Sequence, residues 1–125
     1  MKINIIVSSK FPVAGAYSAA VEAGDMIFIS GQLPINPATG EIINDIKTAT
    51  RQVLTNIQII LKEVGMDMSN VVKTTIFLKN IADFSVVNEI YASFFPKDPP
   101  ARSTVEASAL PKGVPLEIEA IAVRR

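Results

Sequence analysis

The chain has no histidine, no cysteine and no tryptophan, and only two tyrosines among 125 residues. Without cysteine there is no disulfide framework, no thiolate nucleophile and no Cys-His dyad. Without histidine there is no Ser-His-Asp triad, and a zinc-activated water lacks its usual ligands. Catalysis, if there is any, has to use carboxylates, arginine, lysine, tyrosine, hydroxyls and backbone N–H groups. An excess of either charge is missing as well: twelve basic and twelve acidic residues give a net charge of zero, and no block of like charge occurs. That removes the electrostatic footprint of a nucleic-acid or anionic-membrane surface. No stretch approaches the ~20 apolar residues of a spanning helix, and the run Met1 to Val7, broken by Asn4, is too brief for a secretory signal. A soluble, cytoplasmic protein is expected, which the lack of cysteine permits.

What is present is apolar. Hydrophobic residues make up 49% of the chain and charged ones 19%, a balance that anticipates apolar surface covered by other subunits. The length suits a single domain over 1–125, able to bury roughly two-thirds of the surface of its unfolded chain.

Two segments, Ser18 to Glu22 and Asp25 to Ser30, are separated by Ala23-Gly24 and read as a hairpin. Gly31 weakens the strand Met26 to Ile29 where it ends, and marks close approach by a ligand or another chain. Asn36-Pro37-Ala38-Thr39-Gly40 reads as a turn, with Glu41-Ile42-Ile43 as a short edge strand.

From Asp45 to Val64 the apolar spacing becomes helical, through Ile46, Ala49, Val53, Ile57, Ile60, Leu61 and Val64, with Asp45 as N-cap and Gly65 as the stop. Ile59 falls on the polar face, either as a tolerated surface residue or as a subunit contact. Val71 to Leu78 is β-branched and aromatic on both faces, as in a central strand covered on both sides. A second helix is predicted from about Ile81 to Phe95, stopped by Pro96, followed by strands Arg102 to Ala107 and Leu116 to Val123. This order predicts an α+β fold, a mixed sheet with two helices on one face.

Arg102 follows the di-proline Pro99-Pro100, which fixes the direction of the chain and suits a planar guanidinium meant for a carboxylate. On the last strand, alternation places Glu119 among Ile121 and Val123, where burial would raise its pKa toward the range of proton transfer. Each residue also has a bland reading: Glu119 as an ordinary ion pair or solvated charge, Arg102 as a surface solubiliser. The same holds for Tyr17 as a half-buried aromatic, Ser30-Gly31 as a strand end and Asn88 as a helix residue bonded locally or to solvent.

Taken together, the segments resemble the RidA (YjgF) family of reactive-intermediate deaminases. The resemblance rests on Gly15-Ala16-Tyr17-Ser18, Gly24-Asp25, Ile29-Ser30-Gly31-Gln32-Leu33-Pro34, Pro37-Ala38-Thr39-Gly40-Glu41, Val71-Val72-Lys73-Thr74-Thr75, Asp83-Phe84, Val87-Asn88-Glu89-Ile90-Tyr91, Pro100-Ala101-Arg102-Ser103-Thr104-Val105 and Glu117-Ile118-Glu119-Ala120-Ile121-Ala122. These runs are collinear and span nearly the whole chain.

The resemblance implies a chorismate-mutase-like fold assembled as a homotrimer with clefts between subunits. It also implies hydrolysis of 2-imino acids, or their enamine tautomers, to 2-keto acids and ammonia, with no cofactor and no metal. The substrates would come from pyridoxal-phosphate-dependent dehydratases. Carried over by position, Arg102 pairs the substrate carboxylate, Glu119 holds and helps activate water, and Tyr17, Ser30, Gly31, Asn88 and Thr104 line the cleft.

Ala16 stands where relatives usually have proline, Ala19 and Ala49 where they have glutamine, and Thr104 where many have cysteine. Two other readings stand beside the enzyme: a non-catalytic trimer that binds small carboxylates for regulation, and an RNA-directed translation inhibitor, against which the zero net charge and 6% aromatic content speak.

Overall fold

The structure is a computed structural model that describes residues 3–6 and 15–125. Gly24, at φ +61°, reverses the chain between strands β2 (Ala20–Ala23) and β3 (Met26–Gln32), which pair antiparallel from Ala23 opposite Met26 to Ala20 opposite Ile29. A positive φ is nearly free of strain only for glycine, so the turn is written into the sequence. The hairpin is the expected one, although its first strand starts at Ala20 rather than Ser18. Its second strand runs on through Ser30 and Gly31 to Gln32. The short N-terminal apolar run contributes a further strand, β1 (Ile3–Ile6), on the outer edge of β2.

Glu41 to Ile43 does not form an edge strand; the segment makes a single bridge, Ile35 to Ile42. The turn Asn36 to Gly40 is closed instead by the Asn36 side chain, which accepts from the Ala38 N–H at 2.9 Å, and by Gly40 at φ +77°.

Helix α1 (Ile46–Glu63) begins as its sequence predicts, with the Asp45 carboxylate accepting from the Thr48 N–H. It ends in a Schellman motif, in which the Met66 N–H bonds the Leu61 carbonyl and the Gly65 N–H that of Lys62, with Gly65 at φ +75°. The buried face holds Ala49, Val53, Ile57, Ile60 and Leu61 as expected, and in addition Leu54, Thr50 and Asn56. Each fully buried Val, Leu or Ile stabilises the fold by about 1.5–3 kcal/mol before entropy is counted. Ile59 is half-buried at the margin of this face.

Strand β4 (Val71–Leu78) follows. The second helical stretch begins as a single 3-10 turn, Ile81–Asp83, before helix α2 (Phe84–Phe94). Strand β5 (Ala101–Glu106) then pairs parallel to β4, and β6 (Leu116–Val123) runs antiparallel between β3 and β4, giving the order β1-β2-β3-β6-β4-β5.

The parallel relation of β4 and β5 requires a crossover, which α2 supplies. Because β6 is antiparallel to both β3 and β4, those two strands run the same way and α1 is their crossover. Both helices therefore cover one face of a mixed sheet, over a core of Ile27, Ile29, Ile76, Leu78, Leu116, Ile118, Ala120 and Ala122.

Among the described residues, no element covers the other face. β4 lies inside the sheet, but the expectation that both its faces are covered fails within the chain: Val71, Thr74, Ile76 and Leu78 are buried, whereas Val72 is exposed and Lys73, Thr75 and Phe77 are only half-buried. Among the described residues, no helix is long and apolar enough to cross a membrane.

Candidate functional site

Paired residues on adjacent strands share a face of the sheet, so the register decides which candidate side chains can meet. Arg102 pairs with buried Thr74 and Thr104 with buried Ile76, which puts both on the helix-covered face. Glu119 pairs with Thr75 and Glu117 with Phe77, which puts both on the open face. Arg102 and Glu119 thus point to opposite sides of one chain's sheet.

On the helix side, α2 builds a seat for the guanidinium. The Arg102 Nη1 donates to the Asn88 Oδ1 at 2.7 Å, and Cζ lies 4.9 Å from the centroid of the Tyr91 ring and 5.3 Å from that of Phe84. Phe84, Asn88 and Tyr91 recur at intervals of four and three and so stand on one stripe of the helix. Among the described residues no carboxylate lies within ion-pair distance of Arg102, which lines an open concavity of about 370 Å³ with Pro99, Pro100, Ala92 and Phe95. Thr104 Oγ1 is buried with no partner. A buried hydroxyl in that condition carries an unmet hydrogen-bonding demand.

On the open side, the register of β3 against β6 shifts between Ile29 and Gln32, a bulge centred on Ser30 and Gly31. The Ser30 hydroxyl donates to the Ser18 carbonyl at 2.6 Å, and the Gln32 amide donates to the Ser30 carbonyl at 3.1 Å, so the bulge is held from both sides. The close approach that Gly31 marks is made by the chain's own Glu117: a Cβ at position 31 would lie 1.8 Å from the Glu117 Oε2. Burial raises the Glu117 pKa above its ordinary value, and the nearby charge of Glu119 raises it further.

Glu119 itself is exposed and lines, with Ser30, Lys73, Thr75, Phe28 and Ile121, a second concavity of about 360 Å³. Tyr17 is 55% exposed and lines neither concavity. The structure therefore brings together Arg102 and Asn88 on one side, with Thr104 on the same face, and Ser30, Gly31 and Glu119 on the other.

Sequence reasoning missed Glu117, Phe84 and Tyr91. Glu117 shares the strand face of Glu119, and the hint of its close contact in the sequence was Gly31, which leaves space for a carboxylate. The ring pair was legible merely as an apolar stripe.

The family model described as endoribonuclease L-PSP matches residues 7–124. The 2-iminobutanoate/2-iminopropanoate deaminase of Escherichia coli strain K12 is 46% identical over 124 residues, which are 96% of this chain and 97% of that protein. The chain belongs to the RidA/YjgF family.

Solved RidA/YjgF structures share the whole architecture. A Rid-family protein of Yersinia pestis, YyfA, has a TM-score of 0.94 at 48% identity, covering 98% of this chain and 99% of that one. E. coli TdcF, solved with bound serine, has a TM-score of 0.92 at 40% identity, covering 98% of this chain and 99% of that one. The mixed sheet with two helices on one face is thus the RidA-like fold. Within it, Ala16 is exposed next to Tyr17, while Ala19 and Ala49 are buried and leave no polar side chain at those positions.

Proposed function

We propose that the protein is a hydrolase of C–N bonds that converts 2-imino acids such as 2-iminobutanoate and 2-iminopropanoate to 2-keto acids and ammonia. The observation that carries this reading is the ring-seated guanidinium of Arg102, with no carboxylate among the described residues to neutralise it. A protein bearing this activity in its name is 46% identical over almost the full length, and a relative of the same fold holds an amino acid, which carries the same carboxylate.

Arg102 would take the substrate carboxylate through its free donors, with Asn88 fixing the plane of the fork and the Thr104 hydroxyl offering one further bond. The imine carbon is already electrophilic, so holding it beside one water supplies much of the acceleration. Water adds to that carbon, forming a C–O bond, while a carboxylate accepts the proton and passes it to nitrogen. The carboxylate then accepts the hydroxyl proton of the tetrahedral carbinolamine and delivers it to nitrogen, the C=O bond forms as the C–N bond breaks, and ammonia leaves with the keto acid.

Of the two candidate carboxylates, Glu117 suits the proton transfer better. It is held against Gly31 with its pKa pushed up, while Glu119 lies on the same open face, which the proposed assembly would cover. We assign proton transfer to Glu117 and leave to Glu119 the charge that helps raise it.

The two halves face opposite sides of one sheet, so a working site needs Arg102 of one chain beside Glu117 of another. The open face, with Phe28 and Val105 exposed on it, supplies the apolar surface for such an assembly, and a homotrimer with intersubunit clefts is proposed. Pyridoxal-phosphate-dependent dehydratases, which the family resemblance implies as the source of such imines, are the proposed suppliers of the substrate.

The test generates 2-iminobutanoate in situ with threonine dehydratase and follows its loss. The wild type should accelerate it well beyond buffer. Arg102→Ala should lose more than about 100-fold in kcat/KM, since two charge-assisted hydrogen bonds contribute about 3–6 kcal/mol. Decay at the buffer rate would sink the enzymatic reading and leave a carboxylate-binding protein.

A further inference from the structure

We infer that Tyr91 is the positioning residue for the substrate-binding guanidinium: its ring is the platform on which Arg102 lies, and its hydroxyl, bonded to Thr74, sets where that platform stands. The inference rests on the proposed role of Arg102 in holding a carboxylate.

Arg102 stands on the edge strand of the sheet with an exposed, rotamer-rich side chain, yet it has only one directional bond, to Asn88. One hydrogen bond leaves the guanidinium free to pivot about it. The two ring faces at 4.9 and 5.3 Å remove that freedom while leaving the outward N–H groups unoccupied, since a stacked guanidinium is held by its plane and binds by its edge.

The two rings are not equivalent. Phe84 is half-buried at the start of α2, whereas Tyr91 is 3% exposed and packs against Phe95 with centroids 4.7 Å apart. The Tyr91 Oη and the Thr74 Oγ1 lie 2.6 Å apart in the interior, and Thr74 is fully buried. Thr74 is also the register partner of Arg102 across the parallel β4–β5 pair. A single strand position thus anchors the ring that supports the arginine directly beside it. Phenylalanine would fill the same space but would leave the Thr74 hydroxyl buried without a partner, so the tyrosine ties the height and tilt of the ring to the sheet rather than to helix packing alone.

The experiment starts from the double variant Thr74→Val with Tyr91→Phe, which removes both ends of the buried hydrogen bond and leaves no orphan. On that background, mono-, di- and trifluorinated phenylalanines are placed at position 91. Fluorination weakens the negative face of the ring with little change of shape. The probe is 2-oxobutanoate, titrated calorimetrically, alongside KM and kcat for imine generated in situ.

A platform role predicts that the dissociation constant rises stepwise, about fivefold or more across the series. KM should follow it, while kcat and the melting temperature stay level. Dissociation constants that stay flat while Arg102→Ala still abolishes binding would overturn the platform. Thr74→Val alone should raise KM two- to threefold at unchanged kcat, and an unchanged KM would overturn the lock. If the wild type binds 2-oxobutanoate but does not hydrolyse the imine, the proposed reaction fails while the series still decides the role of Tyr91. If it binds no keto acid, both fail.

Discussion

In the proposed reaction, Glu117 is the residue whose protonation would link function to stability. Its folded pKa lies above the ordinary value, first because of burial and then because of Glu119, so the folded state holds its proton more tightly than the unfolded one. Its contribution to stability is therefore most favourable in acid and is lost as pH rises through the raised value. Glu117→Gln should lower activity by about a hundredfold or more. The same variant should be at least as stable as the wild type at neutral pH, with its advantage vanishing in acid. Denaturant titrations at two pH values check this, and a variant less stable at pH 7 would contradict the sign.

Gly31→Ala tests the same carboxylate from the other side. The added Cβ would meet the end of a flexible side chain rather than backbone, so Glu117 can swing away at little cost to the fold. Melting should be nearly unchanged while activity falls by as much as ~100-fold, since displacement of a reacting group by an ångström is enough. A variant that melts early but retains activity would show that the glycine serves packing alone.

At the scale of elements, the fold depends on how α1 holds the loop that leaves the bulge. Asn56 is 2% exposed, and its amide donates to the Leu33 and Ile35 carbonyls at 3.3 and 3.0 Å while its oxygen accepts from Gln52 at 2.7 Å. This polar cluster interrupts a helix face that is otherwise apolar except for Thr50, whose hydroxyl donates to the Ile46 carbonyl, and every member of the cluster has a partner. Asn56→Ala should cost about 2 kcal/mol by leaving two carbonyls without their donor. Equilibrium unfolding at fixed protein concentration would measure this, and a loss below ~0.5 kcal/mol would mean that water replaces the amide.

The helix ends, by contrast, were legible from local chemistry. Asp45 and Gly65 act within one turn of themselves, and the structure places both as their sequence predicts. The Glu41 to Ile43 segment went the other way, because a strand needs a neighbour and this one finds only the single bridge at Ile42. β1 was missed for the converse reason: a four-residue run acquires its meaning from β2 beside it.

At the scale of the whole molecule, helices cover one sheet face, and none of the described elements covers the other, which is the proposed assembly surface. Phe28 is 42% exposed on that second face, in the concavity with Val21 and Ile121. Phe28→Asp should leave a folded chain, since the residue packs under no layer of its own subunit, yet yield monomers in sedimentation and abolish activity. A trimer that persists with full activity would move the assembly surface elsewhere.

What the sequence determined by itself was chemistry and local geometry. The missing histidine and cysteine removed whole reaction classes, the apolar spacing placed both helices and the main strands, the proline pair marked Arg102, and the collinear motifs pointed to the family. Only the tertiary structure could decide which side of the sheet each candidate faces, because that depends on register across strands far apart in sequence. It put Arg102 and Glu119 on opposite faces, brought Glu117 against Gly31, and seated the guanidinium on the rings of α2. Alternation along one strand gives a side chain's relative direction, whereas its absolute direction is fixed only when helices close over one face and leave the other open.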